Sequence, residues 1–313
     1  MDRQGREEVL DPEQGAGSFP SVRISLDQKQ VLIGWGYPPL GVRLYDPRRR
    51  SMRRLTFEGR SMWAIWGPDP DTFTYESDAE GPTCVYVRAL DASPEAAHRV
   101  PTGGGGGWHI PGSWSPDGGT LAYTQASAGG VSLWTVSQDQ ASRLTEPAFR
   151  ANLPDFSPDG RWLAYTSEES GRPEVYVRPY GHPSRTHQIS TQGGHAPAWT
   201  RDGSELVFRR HPDWLDDGRT GFFAVGVQEV DGELRLGEPT FLFEDKYKWS
   251  APARAYDVTR DGARFLLGRP VAGETERLIE AVFPTRIHVV QNWFEELKAT
   301  AKGAGPATAG ERD

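Results

Sequence analysis

The residues of this 313-residue chain that could do chemistry are few and scattered. Five glycines in a row, Gly103 to Gly107, suggest a phosphate cradle, but such a loop needs Gly-Lys-Ser/Thr opening a helix. Here Trp108-His109-Ile110 follows and reads as a strand, so the run is a linker. Asp213, Asp216 and Asp217 crowd the segment HPDWLDDGR. Calcium asks for about six to eight converging oxygens, and these acids match no EF-hand spacing. The seven histidines, His98, His109, His182, His187, His195, His211 and His288, contain no HExxH pair and read as exposed or structurally satisfied. GSWSPDG has the wrong spacing for a G-x-S-x-G nucleophile elbow. Two acids, Asp155 and Asp257, fall in segments that read as innermost strands, where converging carboxylates could cleave a glycosidic bond.

What positions these side chains is an internal repeat. SWSPDGGTLAYTQ from Ser113 and DFSPDGRWLAYTS from Asp155 align almost without gaps. AWTRDGSELVFRR from Ala198 and DVTRDGARFLLGR from Asp257 follow the same pattern, and degenerate copies begin at Arg23 and Ala64. The shared aspartates are Asp27, Asp69, Asp117, Asp159, Asp202 and Asp261, at intervals of 42, 48, 42, 43 and 59. A period of roughly 42 with several short strands per unit is the range of a β-propeller. Ser/Thr-Pro/Arg-Asp-Gly is a tight hairpin turn in which glycine takes the left-handed position. The turn residues are thus Asp117 and Gly118, Asp159 and Gly160, Asp202 and Gly203, and Asp261 and Gly262. In the first two units Gln28 and Pro70 replace that glycine, so those hairpins should differ.

Composition agrees with one soluble all-β domain: 36% apolar, 25% charged, 36 Gly, 25 Pro and many aromatics. The formal charge of −8 argues against a general nucleic-acid binder. The basic run Arg48 to Arg50 with Arg53 and Arg54 is too short to change that and reads as a solvated loop. A single cysteine, Cys84, allows no internal disulfide and no Cys-based metal site. MDRQGREEVL lacks the apolar core of a signal peptide, and no apolar stretch approaches the length of a membrane span.

SPDGGTLAYTQ, SPDGRWLAYTSEESGRPEVYVRPY and the terminal IHVVQNWFEELK resemble the TolB-like, WD-repeat-like (PD-type) propeller family over nearly the whole chain. More narrowly, DRQGREE and VVQNWFEELK are similar to the two ends of the propeller region that follows some bacterial eukaryotic-like serine/threonine kinases. The resemblance implies a sensor, scaffold or interaction module and no catalysis by the propeller. The kinase elements GxGxxG, VAIK, HRD and DFG are absent.

The expected fold is therefore an all-β, six-bladed β-propeller of four-stranded antiparallel blades. Its units span approximately 19–56, 61–101, 108–145, 150–190, 193–243 and 248–291. Residues 1–10 should close the ring against the Arg286–Gln291 strand. A capped helix should follow at 292–302, then a disordered tail at 303–313. The expected function is a non-enzymatic, monomeric scaffold or sensor that binds a protein or peptide on one propeller face. No cofactor, metal, nucleic acid or membrane insertion is expected. The alternatives are a central-channel enzyme of glycosidase, lactonase or lyase type and a small-molecule sensor with an axial pocket. Ligands gathered near the axis from several blades would leave no motif, so an axial metal stays open. The compartment is cytoplasmic by default and extracytoplasmic if the chain is part of a membrane kinase.

Overall fold

The computed structural model describes residues 1–7, 21–35, 40–103, 105–146, 148–181, 186–210, 221–230, 233–244, 253–259 and 261–268. All of them fall within the unit Met1–Ala272, and a second unit, Gly273–Asp313, lies outside them.

Short strands bounded by tight turns build antiparallel sheets in sequence order. Blade 1 is β1 (Ser21–Ile24), β2 (Val31–Trp35), β3 (Gly41–Asp46) and β4 (Ser51–Arg54). Blade 2 is β5 (Ser61–Trp66), β6 (Thr72–Ser77), β7 (Cys84–Ala89) and β8 (His98–Val100). Blade 3 is β9 (Trp108–Trp114), β10 (Thr120–Ser127), β11 (Gly130–Ser137) and β12 (Gln140–Arg143). Blade 4 is β13 (Ala151–Phe156), β14 (Trp162–Ser167), β15 (Glu174–Pro179) and β16 (His187–Gln188). Blade 5 is β17 (His195–Trp199), β18 (Glu205–Arg210), β19 (Gly221–Val230) and β20 (Glu233–Leu236), and β21 (Thr240–Glu244) also pairs with β19. The last repeat supplies only β22 (Tyr256–Val258) and β23 (Phe265–Leu267).

Among the described residues there are thus five blades, not six: four of four strands each, and a fifth in which β21 joins the four. The repeat aspartate marks an a–b hairpin, which is a local event, whereas a full blade also needs two outer strands. At Asp261 the hairpin forms as β22–β23, and no outer strands follow it among the described residues. This short sheet still bridges the ring: Tyr256, Val258 and Phe265 pack on blade 5, and Leu266 packs on blade 1.

The chain start pairs with the hairpin of the last repeat. The Met1 nitrogen donates to Phe265 O (3.0 Å), the Phe265 N–H donates to Met1 O (2.8 Å), and Asp2 bridges Arg264 antiparallel. Arg3 then donates to Gly262 O (2.8 Å) and pairs with Glu205. The N-terminal segment therefore lies on β23, beside the hairpin, where a third strand belongs. Residues 286–291, 292–302 and 303–313 lie outside the described residues.

Five of the six a–b hairpins are held by the same polar circuit. In blade 3 the Ser115 hydroxyl donates to Asp117 Oδ1 (2.5 Å), which also accepts Gly119 N–H (3.0 Å), while Ser115 Oγ accepts Thr120 N–H (2.9 Å). Ser157/Asp159, Thr200/Asp202 and Thr259/Asp261 repeat it. Gly118, Gly160, Gly203 and Gly262 have φ of 71°, 74°, 73° and 65°. The first hairpin does not differ as its sequence suggested: Gln28 adopts φ 58°, and Ser25, Asp27 and Gln30 make the same bonds. The circuit outweighs the side chain's dislike of this region, which costs about 1–2 kcal/mol. The second hairpin does differ, because Gly67 stands where the serine would be and Thr72 Oγ1 bonds Asp69 instead.

The apolar core is divided among the seams between sheets. Blades 1 and 2 bury Leu32, Val42, Phe73 and Tyr75; blades 4 and 5 bury Val175, Val177, Leu206 and Phe208. A sheet of this kind buries both faces only by standing between neighbours.

Candidate functional site

The innermost strand of each unit is where a propeller gathers side chains from many blades. In blades 2 to 5 the pairing of that strand shifts register as at a β-bulge, at Met62/Ile65, Pro111/Ser113, Asn152/Asp155 and His195/Ala198. In blades 2, 4 and 5 Trp63, Leu153 and Ala196 occupy it with φ of 48°, 57° and 53°. Non-glycine residues in this region are uncommon, and bulges turn side chains and backbone toward sites they would otherwise miss.

Hydrogen bonds from one blade to the next hold these bulges. Thr124 Oγ1 accepts Leu153 N–H and Thr166 Oγ1 accepts Ala196 N–H, both at 3.0 Å. Further along the strand Ser113 Oγ accepts Phe156 N–H (3.2 Å), Asp155 Oδ2 accepts Trp199 N–H (2.9 Å) and Asp257 Oδ2 accepts Ile24 N–H (2.8 Å).

The structure brings together the two acids marked as catalytic candidates, and the group between them is an arginine. Arg254 lies 3.1 Å from Asp155 Oδ2 and 3.4 Å from Asp257 Oδ1, and it donates to Pro197 O (2.9 Å). All three are buried. Burial alone would lower the Arg254 pKa, but the two carboxylates outweigh it and raise it. A second buried arginine, Arg23, donates to Arg254 O (2.6 Å) and Val22 O (2.8 Å). Burial, reinforced by the Arg254 charge, lowers its pKa to about 9. The Tyr256 hydroxyl donates to Ala196 O (2.6 Å), and burial raises its pKa.

The space between these groups is lined by Arg23, Pro111, Thr124, Leu153, Pro197 and Arg254 and amounts to ≈ 10 Å³. That is about what one water molecule needs. Each carboxylate already serves a backbone N–H and a guanidinium, so the cluster ties sheets together and offers no free acid and base pair.

The other sequence candidates are dispersed. The turn aspartates sit one per sheet; in Asp27, Asp117, Asp202 and Asp261 the Ser or Thr hydroxyl of the circuit is the largest cause of a lowered pKa, and the Asp27 value falls to about 2. His98 is exposed on β8, and His187 and His195 are part-buried on β16 and β17. His109 is buried on β9, with Nδ1 3.2 Å from Thr83 O and Nε2 3.2 Å from Gly103 O; burial lowers its pKa. The glycine run before it is tied down by Tyr123, whose hydroxyl accepts Gly103 N–H (2.9 Å). His182, His211, His288, Asp213, Asp216 and Asp217 lie outside the described residues. Among the described residues no three His, Cys, Asp or Glu side chains converge as metal ligands would, and no described helix is long and apolar enough to cross a membrane.

Sequence reasoning missed both axial arginines. The available signal was RAYD, Arg254 to Asp257, which sets a cation three residues before an acid on an inner strand.

No family model matches the chain, and no curated protein matches it. Solved structures do. A putative TolB from Agrobacterium tumefaciens is 18% identical, with 82% of this chain and 91% of that one covered and a TM-score of 0.60. A puromycin-hydrolyzing peptidase from Mycobacterium tuberculosis is 15% identical over 85% of this chain, TM-score 0.52, and this chain spans 47% of it. An oligogalacturonate lyase in complex with manganese is 14% identical over 82% of this chain and 87% of its own, TM-score 0.51. At such identities the likeness is one of fold, and the fold is a TolB-like β-propeller.

Proposed function

We propose that this chain is a non-enzymatic interaction propeller that binds a protein or peptide across one face near its axis. The observation that carries the reading is the use made of Asp155 and Asp257. Catalysis would need a carboxyl available to move a proton or attack, and here each accepts a backbone N–H, from Trp199 or Ile24, and pairs with Arg254. The resemblance to propellers that follow bacterial kinase modules supports a sensing or docking role.

Two measurements test this. The purified chain, screened against hydrolase, lactonase and lyase substrates with and without divalent cations, should give background rates only. The immobilised chain should retain a defined protein from native lysate. Turnover that tracks the protein through purification, or an empty pull-down, would overturn the proposal.

A further inference from the structure

The β3–β4 hairpin of blade 1 holds a charge pattern that neither the fold nor the axis uses. Between residues 43 and 54 lie Arg43, Arg48, Arg49, Arg50, Arg53 and Arg54 and one acid, Asp46, in a chain of net charge −8. The outer strands of the other blades, β8, β12, β16 and β20, carry at most one arginine each.

Arg43 and Arg54 stand directly opposite each other across the strands. Leu55 N–H donates to Val42 O (2.8 Å), so the neighbouring Arg43/Arg54 pair is of the non-bonded kind, in which side chains come closer. Like charges so placed repel. No acid of the described chain lies between them. Arg54 donates to Thr56 O (2.6 Å) and Leu40 O (3.1 Å); Arg43 stacks on Trp35 at 3.8 Å with its Nε unpartnered. At the hairpin tip Asp46 is committed to the N–H groups of Arg48 (2.9 Å) and Arg49 (3.1 Å), which leaves the exposed Arg48 and Arg50 side chains without an acid. Arg49 pairs with Asp46 at 3.8 Å and Arg53 with Asp91 at 3.1 Å.

The same strand is a sheet edge. β4 pairs only with β3 among the described residues. The alternation that points Leu55 and Arg53 at β3 turns the backbone groups of Met52 and Arg54 to the open side. An edge of this kind is a template for an added strand, and its arginines keep a second copy of the same edge away.

We propose that the β4 edge docks an extended acidic segment of a partner protein as a fifth strand of blade 1. The carboxylates of that segment would lie between Arg43 and Arg54 and against Arg48 and Arg50. A peptide fits better than a lipid surface or a nucleic acid because only a peptide can also satisfy the Met52 and Arg54 backbone groups. This site is remote from the axial face, so either proposal can fail alone.

The test uses the full chain and a short labelled peptide of alternating Glu and Thr, read by fluorescence anisotropy. Binding should weaken as salt rises, and it should shift the amide resonances of Met52 and Arg54. The double variant Arg48→Glu/Arg50→Glu should bind about tenfold more weakly or worse with an unchanged melting transition. A peptide of equal charge with proline at alternate positions should lose binding to a similar degree, since it cannot pair as a strand. No binding of the Glu-Thr peptide, equal binding of the proline peptide, or tighter binding of phosphatidylserine vesicles or single-stranded DNA would overturn the proposal.

Discussion

The seam between blades 4 and 5 and the seam between blades 2 and 3 are built on one plan and finished differently. At the first, Asp155 and Thr166 each accept a backbone N–H of the next blade, and Arg254 reinforces Asp155 from the last repeat. At the second, the position of Asp155 is Ile65, and that of Thr166 is Glu76, which pairs with Met62 as Thr166 pairs with Asn152. The backbone group that Glu76 would tether belongs to Pro111, which has no N–H. Glu76 is buried with Oε1 unpartnered, and burial, against the pull of Arg60, pushes its pKa up to about 8. The second seam is held by Trp114 Nε1 donating to Thr74 Oγ1 (2.8 Å) and by its apolar cluster of Val85, Leu121 and Tyr123. Both seams combine packing with polar tethers, and the one whose backbone tether is missing carries the titratable misfit.

The sharpest way to break this contrast is Asp155→Ala. It orphans the Trp199 N–H and half of the Arg254 guanidinium, and removing one partner of a buried pair costs about 3–5 kcal/mol. Urea unfolding should show that loss; a cost under about 1 kcal/mol would mean the tether is ornamental.

Glu76→Gln should move stability the opposite way, and its effect should depend on pH. Between pH 4.5 and about 8 the folded protein keeps a proton on Glu76 that the unfolded chain has released. Wild-type stability should fall as pH rises through that window, by at most about 1.4 kcal/mol per unit. The variant should lose that slope and melt several degrees higher at pH 8. Melting curves of both proteins at pH 5 and pH 8 decide it.

Thr166→Val keeps the shape and removes the acceptor for Ala196 N–H, at a cost of about 1–3 kcal/mol. The smallest change is Gln28→Gly in the first hairpin. Relief of the left-handed backbone, set against the freedom glycine adds to the unfolded chain, should leave a gain of about 0.5–1 kcal/mol. Chemical denaturation of the two single variants measures both.

Legibility in the sequence follows the range of the interaction. The hairpins were readable because their circuits close within six residues, Ser115 to Thr120; even Gln28 misled only about the backbone, not about the turn. Blade number was not readable from the aspartates, because the outer strands of the last unit depend on pairings no local motif reports. Asp155 and Asp257 were visible as acids on inner strands. Their meaning depends on Arg254, which reaches Asp155 from almost a hundred positions further along the sequence. Pro111 is plain in the sequence, but its effect on Glu76 exists only once two blades stand side by side.

The pairing of Met1 with Phe265 sets a schedule for synthesis. The N-terminal segment is the first part of the ring made, and the strand it lies on is nearly the last. At about 5–20 residues per second a ribosome takes roughly ten seconds to a minute to cover that distance. During that time the blades can form one after another on the emerging chain, because their seams join consecutive units. The clasp cannot, so until β23 leaves the exit tunnel the segment Met1–Arg3 stays unpaired and the flank of blade 1 stays bare. That interval, more than any step in the finished ring, is when a holding chaperone would matter to this chain.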